Sequence, residues 1–215
     1  MGVTVVINNR DLLSWPRAMV DQICTYDYLA EVLILDNGSS YEPLLDWYQE
    51  IPHRVIKLPN IGHTAAWVPE INALIKTDYY VVSDPDMDLS GTPRDTLKHL
   101  ADQLLSYKQF EKIGLGLDIK SVPKAAPLYE HVNSYEKKFW ELPLMPGGVR
   151  RAVVDTTFAM YHKGIMNHYK ITGLRTDYPY VAKHIPWCLI DRPEEFNYYL
   201  AHANHSSCYK TYLNL

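Results

Sequence analysis

The chain has 215 residues, 47% hydrophobic and 21% charged, with a formal net charge of −4. This balance describes an ordinary globular protein large enough for one substantial core, and it excludes a non-specific nucleic-acid binder, which needs an excess of Lys and Arg. No stretch approaches the roughly 20 apolar residues of a transmembrane helix. The N-terminus MGVTVVINNR has no basic segment followed by an apolar one, and passes directly into strand-like sequence. Cys24, Cys188 and Cys208 are odd in number and widely spaced, which argues for buried or idle thiols in a reducing compartment rather than a disulfide framework.

In chain order, Val3–Ile7 reads as a strand, and Leu12, Trp15, Met19 and Ile23 recur at helical spacing behind it. Val32–Leu35 is a second strand, ending in the turn-and-cap cluster Asp36-Asn37-Gly38-Ser39-Ser40. Pro43 suits the first turn of a short helix carrying Leu44, Leu45 and Trp47. Arg54–Leu58 is a third strand, closed by Pro59-Asn60-Ile61-Gly62. A helix carrying Val68, Ile71 and Ile75 is expected next, its start disturbed by Pro69. Tyr79–Ser83 is the fourth strand. Thr92-Pro93-Arg94-Asp95 resembles a capping box opening a helix with Leu97, Leu100 and Leu104 on one face. Further on, Ile113–Ile119 is read as a strand, Tyr129–Leu142 as an amphipathic helix and Pro143–Gly148 as a flexible break. Val153–Tyr161 is read as a strand interrupted by Asp155-Thr156-Thr157. The aromatic segment from Gly173 onward is loop-rich.

Strands and helices alternating at roughly 25-residue spacing predict parallel βαβ units in a doubly covered sheet. Ligands bind such sheets beyond the carboxyl ends of the strands. Asn8, Asn9 and Arg10 follow the first strand, Asp36 the second, Asn60 the third, and Asp84 with Asp86 the fourth, so all converge on one edge.

The segment SDPDMD needs an explanation, because carboxylates this close repel one another. An EF-hand loop also begins D-x-D-x-D, but it requires Gly at position six and Glu at twelve, where this chain has Leu89 and Asp95. A solvated turn is the bland alternative, since Asp and Pro form turns. A divalent cation held by carboxylates and a substrate's phosphates is the other, and Asp36 and Asn60 at neighbouring strand ends favour it.

Taken in order, VTVVINNR, VLILDNGSS, LPNIGH and YYVVSDPDMD resemble nucleotide-sugar glycosyltransferases of the GT-A fold, family-2-like members in particular. VDTTFAMYHK and RTDYPYVAKHIPW are similar to a bacterial and viral subset. The resemblance covers nearly the whole chain. It implies a single α/β domain spanning 1–215, with a Rossmann-like, mixed but mainly parallel sheet flanked by helices. Residues 1–92 would form a nucleotide-binding half and 93–215 an acceptor-binding half.

The same resemblance implies an inverting, metal-dependent transfer of a hexose or deoxyhexose, such as glucose or rhamnose, from a UDP-sugar to a glycan or glycoprotein. Asn8, Asn9, Arg10 and Asp36 would hold uracil and ribose, and Asn60 and Gly62 would border the pocket. Asp84 would face ribose or sugar and join the metal site, and Asp86 would ligate Mn2+ or Mg2+. His184 would complete that shell or touch phosphate, unless it is simply a packed histidine. Arg175 and Lys183 would neutralise the diphosphate, unless they are solvated surface charges.

The acidic pair that usually supplies the base in this family is not evident. Asp155 is the substitute, because it interrupts an apolar run; otherwise it is an Asp bonding local backbone N–H groups. Trp187 is expected to pack, while Trp140, Tyr178 and Tyr180 either pack or line an acceptor sugar. The resemblance also implies a cytoplasmic enzyme (host cytoplasm if viral) that could carry further domains in a longer polypeptide. Two alternatives stand beside it. One is a carbohydrate-binding or assembly module whose aspartates hold a structural cation. The other is a sugar nucleotidyltransferase, disfavoured because INNRDLLSWP has no glycine after the first strand.

Overall fold

In the computed structural model, which describes residues 2–165, 171–203 and 209, alternation within the first strand builds both faces of the main sheet. Along β1 (Val3–Asn9), Val3, Val5 and Ile7 point into one apolar cluster and Val6 into another. The first cluster is covered by α1 (Ser14–Ile23), which follows β1 and contributes Met19, Val20 and Ile23. After β2 (Leu29–Asn37), α2 (Glu42–Glu50) adds Leu44, Trp47 and Tyr48 to it, with Pro43 in the first turn as expected. β3 (Arg54–Leu58) completes the edge of the sheet.

The helix expected around Val68–Ile75 is broken in two. A 3-10 turn over Gly62–Trp67 precedes the single turn α3 (Pro69–Asn72), because Pro69 lacks the N–H that would continue the first element. Ala65, Ala66, Trp67 and Ile71 cover the second face.

β4 (Tyr79–Ser83) is buried throughout, and β5 (Met87–Asp88) follows it. The capping box at Thr92 does not form. The Thr92 hydroxyl donates to the Leu89 carbonyl at 2.7 Å, and α4 begins four residues later (Thr96–Ser106) with no side-chain cap. The strand expected at Ile113–Ile119 is two strands, β6 (Lys112–Gly114) and β7 (Gly116–Leu117), which join different sheets. α5 (Tyr129–Trp140) matches the expected helix. The interrupted strand at Val153–Tyr161 also divides, into β8 (Val149–Val154) and β9 (Ala159–His162), which are not neighbours. The aromatic segment expected as loop contains β10 (Ile171–Thr176), β11 (Val181–His184), α6 (Ile185–Cys188) and α7 (Glu194–His202).

The main sheet has the order β3-β2-β1-β4-β9-β6-β10-β8. β1 pairs in parallel with β2 and β4, and β2 with β3, while β9 and β8 run against their neighbours. The fold is thus a mixed α/β domain with a large, mainly parallel sheet flanked by helices. A second small sheet, β5-β11-β7, ties the segment after β4 to the C-terminal half.

That half is anchored by polar as well as apolar contacts. Glu195 on α7 accepts from the backbone N–H groups of Leu13 and Ser14 at 2.9 and 2.8 Å and bonds the Ser14 hydroxyl, so a carboxylate 181 residues away in sequence caps α1. Leu12, Trp15, Phe196, Leu200 and Tyr209 pack beside this cap. Cys24 is exposed and Cys188 partly buried, both as free thiols; Cys208 lies outside the described residues. No helix among the described residues is long and apolar enough to cross a membrane.

Candidate active site at the carboxyl edge of the sheet

Register places the candidate residues on one edge. Asn9 lies beside Asp36, Asn37 beside Leu58, and Ile7 beside Ser83, so β1, β2, β3 and β4 end together. Gly62 closes the loop beneath them with φ +78°, a left-handed conformation that turns its carbonyl toward β1 and β2. That carbonyl accepts from Asn8 Nδ2 at 3.3 Å and from Asn37 Nδ2 at 2.7 Å, while Asn37 Oδ1 accepts the Ile61 N–H at 2.8 Å. Asn37 is therefore the clamp of this loop. In sequence it passed for a turn residue, and only its neighbour Asp36 was singled out. Among the described residues, no atom beyond Gly62 and its chain neighbours stands within 4 Å of where a Gly62 side chain would begin, and Asn60 is exposed nearby.

The remaining residues of the first two strand ends are largely committed. Asn9 is fully buried and donates to the Leu12 carbonyl and to the Tyr48 hydroxyl, both at 2.8 Å. Asp36, also buried, accepts the Ser39 N–H at 3.1 Å. Arg10 donates to the His202 carbonyl at 2.8 Å and lies 3.4 Å from Asp11. Asp11, at φ +52°, accepts the N–H groups of Ser40 and Tyr41 at 2.6 and 3.0 Å and so fixes the turn that leads into α2.

Past β4 the aspartates take separate roles. Asp84 accepts the Thr156 hydroxyl at 2.6 Å, and its N–H donates to the Thr156 carbonyl at 2.9 Å. Burial, reinforced by the nearby charges of Asp86 and Asp155, raises its carboxyl well above the usual range, against the Thr156 bond. Asp86 is buried; its Oδ2 accepts the Tyr209 hydroxyl at 2.7 Å, and its Oδ1 lies 3.7 Å from His184 Nε2. Asp88 accepts the Ser90 N–H at 2.9 Å and pairs with Lys183 at 3.5 Å. Burial alone would raise the Asp88 carboxyl, but the Ser90 bonds and Lys183 hold it below its usual range.

His184 reaches Asp86 because β11 pairs antiparallel with β5, placing His184 opposite Met87. Its ring packs at a tilt against Trp187, centroids 4.6 Å apart, and its Nε2 meets the Tyr209 hydroxyl at 3.0 Å. Asp86 Oδ1 and His184 Nδ1 are buried without a hydrogen-bond partner.

The donor set fits a divalent cation. A carboxylate oxygen and an imidazole nitrogen 3.7 Å apart can share an ion about 2.1 Å from each, and the orphaned oxygen lacks any other compensation. Among the described residues no group of three or more His, Cys, Asp or Glu is gathered for a metal.

Asp155 lies partly buried at the end of β8, with Oδ1 accepting the Thr156 N–H at 3.0 Å. It sits near Asp84 and near Lys112, a fully buried lysine on β6 whose ammonium donates to the Val154 carbonyl at 2.6 Å. Gly173 makes room for that lysine: a Cβ there would stand 2.9 Å from Lys112 Cγ. Burial lowers the Lys112 ammonium to about 8, with Asp155 opposing the shift. The unfolded chain then binds more protons than the folded one between pH 8 and 10.5, so this group's contribution rises with pH across that window and is a penalty below it. Wild-type protein should gain ~2 kcal/mol over Lys112→Met between pH 7.5 and 10 in urea denaturation. Parallel profiles for the two proteins would show that the ammonium is not buried as described.

Arg175 is engaged elsewhere: Nη1 lies 2.5 Å from Glu136 Oε2, Nε donates to the Val153 carbonyl, and the guanidinium covers Phe139. A role at a diphosphate would require breaking that pair. Trp140 donates to the Leu117 carbonyl and stacks on Tyr178, whose hydroxyl donates to Asp118, while Tyr180 stacks on His99.

No protein-family model and no curated protein matches the chain. Solved structures do match in fold. A mannosyltransferase from Pyrobaculum calidifontis, in complex with GDP-Man and Mn2+, aligns over 99% of this chain and 68% of its own, at 14% identity and a TM-score of 0.52. TarS of S. aureus aligns over 100% of this chain and 43% of its own, at 12% identity and a TM-score of 0.51. Glucosyl-3-phosphoglycerate synthase from Mycobacterium tuberculosis aligns over 75% of this chain and 57% of its own, at 15% identity and a TM-score of 0.45. The chain thus spans about half the length of the last two. What it shares with the mannosyltransferase and TarS is the fold, a mixed α/β domain of the GT-A type.

Proposed function

We propose that this protein is a metal-dependent, inverting glycosyltransferase that moves a hexose or deoxyhexose, glucose or rhamnose, from a UDP-sugar to a glycan or glycoprotein acceptor. The observation that carries it is the pairing of Asp86 with His184 across β5 and β11, at the edge where Asn8, Asp36, Asn37 and Gly62 also converge. Residues 1–92 bind the nucleotide and 93–215 the acceptor. We propose, from the sequence resemblance alone, a likeness to the N-terminal glycosyltransferase domain of a chlorella-virus capsid-glycosylating protein.

Asp86 and His184 hold Mn2+ or Mg2+, with Asp84 beside them. When bound, the cation supplies positive charge to the diphosphate leaving group. The raised carboxyl of Asp84 marks a cluster of negative charge that such a cation would relieve. Asp36 faces the base, the Asn60–Gly62 loop borders the nucleotide, and Asp155 takes the proton of the acceptor hydroxyl.

In a thermal-shift screen, Mn2+ with UDP should raise the unfolding temperature by several degrees, equivalent to ~2.7 kcal/mol at a hundredfold excess over Kd. Asp86→Ala should erase the gain. Running GDP and CMP alongside tests the choice of base, and no metal-dependent shift with any nucleotide would sink the proposal. A non-catalytic carbohydrate-binding module is the second possibility, favoured by the Tyr209 bond that already satisfies one oxygen of Asp86. Release of UDP from a UDP-sugar would exclude it.

A further inference from the structure

The Tyr209 hydroxyl has one proton, and it is donated to Asp86 Oδ2 at 2.7 Å. Its 3.0 Å contact with His184 Nε2 therefore requires that nitrogen to carry a hydrogen and donate it to the phenol oxygen. The result is a closed relay in which His184 donates to Tyr209 and Tyr209 to Asp86. A cation shared by Asp86 and His184 needs the Nε2 lone pair, which the relay occupies with a proton. The hydrogen-bonded state and the cation-bound state are mutually exclusive at His184 Nε2, while Asp86 Oδ1 stays open to the ion.

We infer that Tyr209 sets the strength of cation binding: its hydroxyl competes with the divalent ion for His184 Nε2, and the ion binds when that contact gives way. The inference rests on Asp86 and His184 being the cation ligands. The surroundings allow the exchange. The Tyr209 ring is one wall of a cavity of about 280 Å3, also lined by Leu128, Pro186, Leu189 and Phe196, so the side chain has space to turn into. The histidine proton has a destination on Nδ1, which is buried without a partner.

The experiment is a Mn2+ titration of the intact protein, with free Mn2+ read by electron paramagnetic resonance. It compares wild type, Tyr209→Phe and Asp86→Ala at one pH. Phenylalanine keeps the ring that packs edge-on to Phe196 and removes only the hydroxyl. Tyr209→Phe should bind Mn2+ about tenfold more tightly, the scale of one lost charge-assisted hydrogen bond. An unchanged affinity, or a weaker one that makes the phenol a ligand, overturns the inference provided Asp86→Ala has lost binding. Wild-type affinity in Asp86→Ala instead overturns the assignment of the cation to Asp86, and the role of Tyr209 with it.

Discussion

Glu136→Ala should lower the free energy of unfolding by ~3–5 kcal/mol, because it strands a guanidinium in the interior. Arg175 and Glu136 are 7% and 2% exposed, and their charges meet at 2.5 Å between β10 and α5. Arg175 also donates to the Val153 carbonyl at 2.7 Å and lies 4.2 Å from the centre of the Phe139 ring, so it cannot turn out to water without disrupting both. Removing the acid leaves the full desolvation cost of the base. Removing both should cost far less, since an apolar pair of similar volume gives up attraction and desolvation together. Urea denaturation of Glu136→Ala and of the Glu136→Met, Arg175→Met double variant measures the difference. A loss under ~1 kcal/mol in the single variant would mean a solvated pair, as at a surface, and would leave Arg175 free for a diphosphate.

Asp155→Asn should reduce turnover by about 10²–10⁴-fold while leaving the fold and UDP binding in place, at some loss of stability as the buried Lys112 ammonium loses a compensating charge. Asparagine keeps the oxygen that accepts the Thr156 N–H, so the turn holding Thr156 against Asp84 survives. What it loses is the capacity to take a proton. Steady-state kinetics with a UDP-sugar, beside nucleotide titration, separates the two roles of this residue. Undiminished turnover would reduce Asp155 to a turn former and move the search for the base to the other carboxylates near the site.

The first half of the fold was legible because its strands are local patterns. Arg54–Leu58 and Tyr79–Ser83 were read with the bounds they have, and Val3–Ile7 fell two residues short. Runs of β-branched residues flanked by turn formers carry that information without reference to partners. The second half was not legible in this way. β5 and β7 are two residues each, and what makes them strands is β11 lying between them. Ile113–Ile119 and Val153–Tyr161 each read as one strand but each spans parts of two, because the chain turns from one partner to another at Leu115 and at Asp155-Thr156-Thr157.

The candidate site divides along the same line. Sequence by itself determined that amides and carboxylates follow successive buried strands, because strand periodicity and turn chemistry are properties of neighbouring residues. Local pattern does not determine which of them meet; only the family resemblance puts His184 with Asp86. Asp86 finds His184 only through the β5–β11 pairing, and Tyr209 arrives from 123 residues away. Arg175 is drawn to Glu136 by α5 packing over β8 and β10. Such pairings depend on where distant elements cross, which local pattern does not encode. The tertiary structure therefore adds the contacts themselves: Asp86, which the resemblance puts with His184, meets that histidine and also Tyr209.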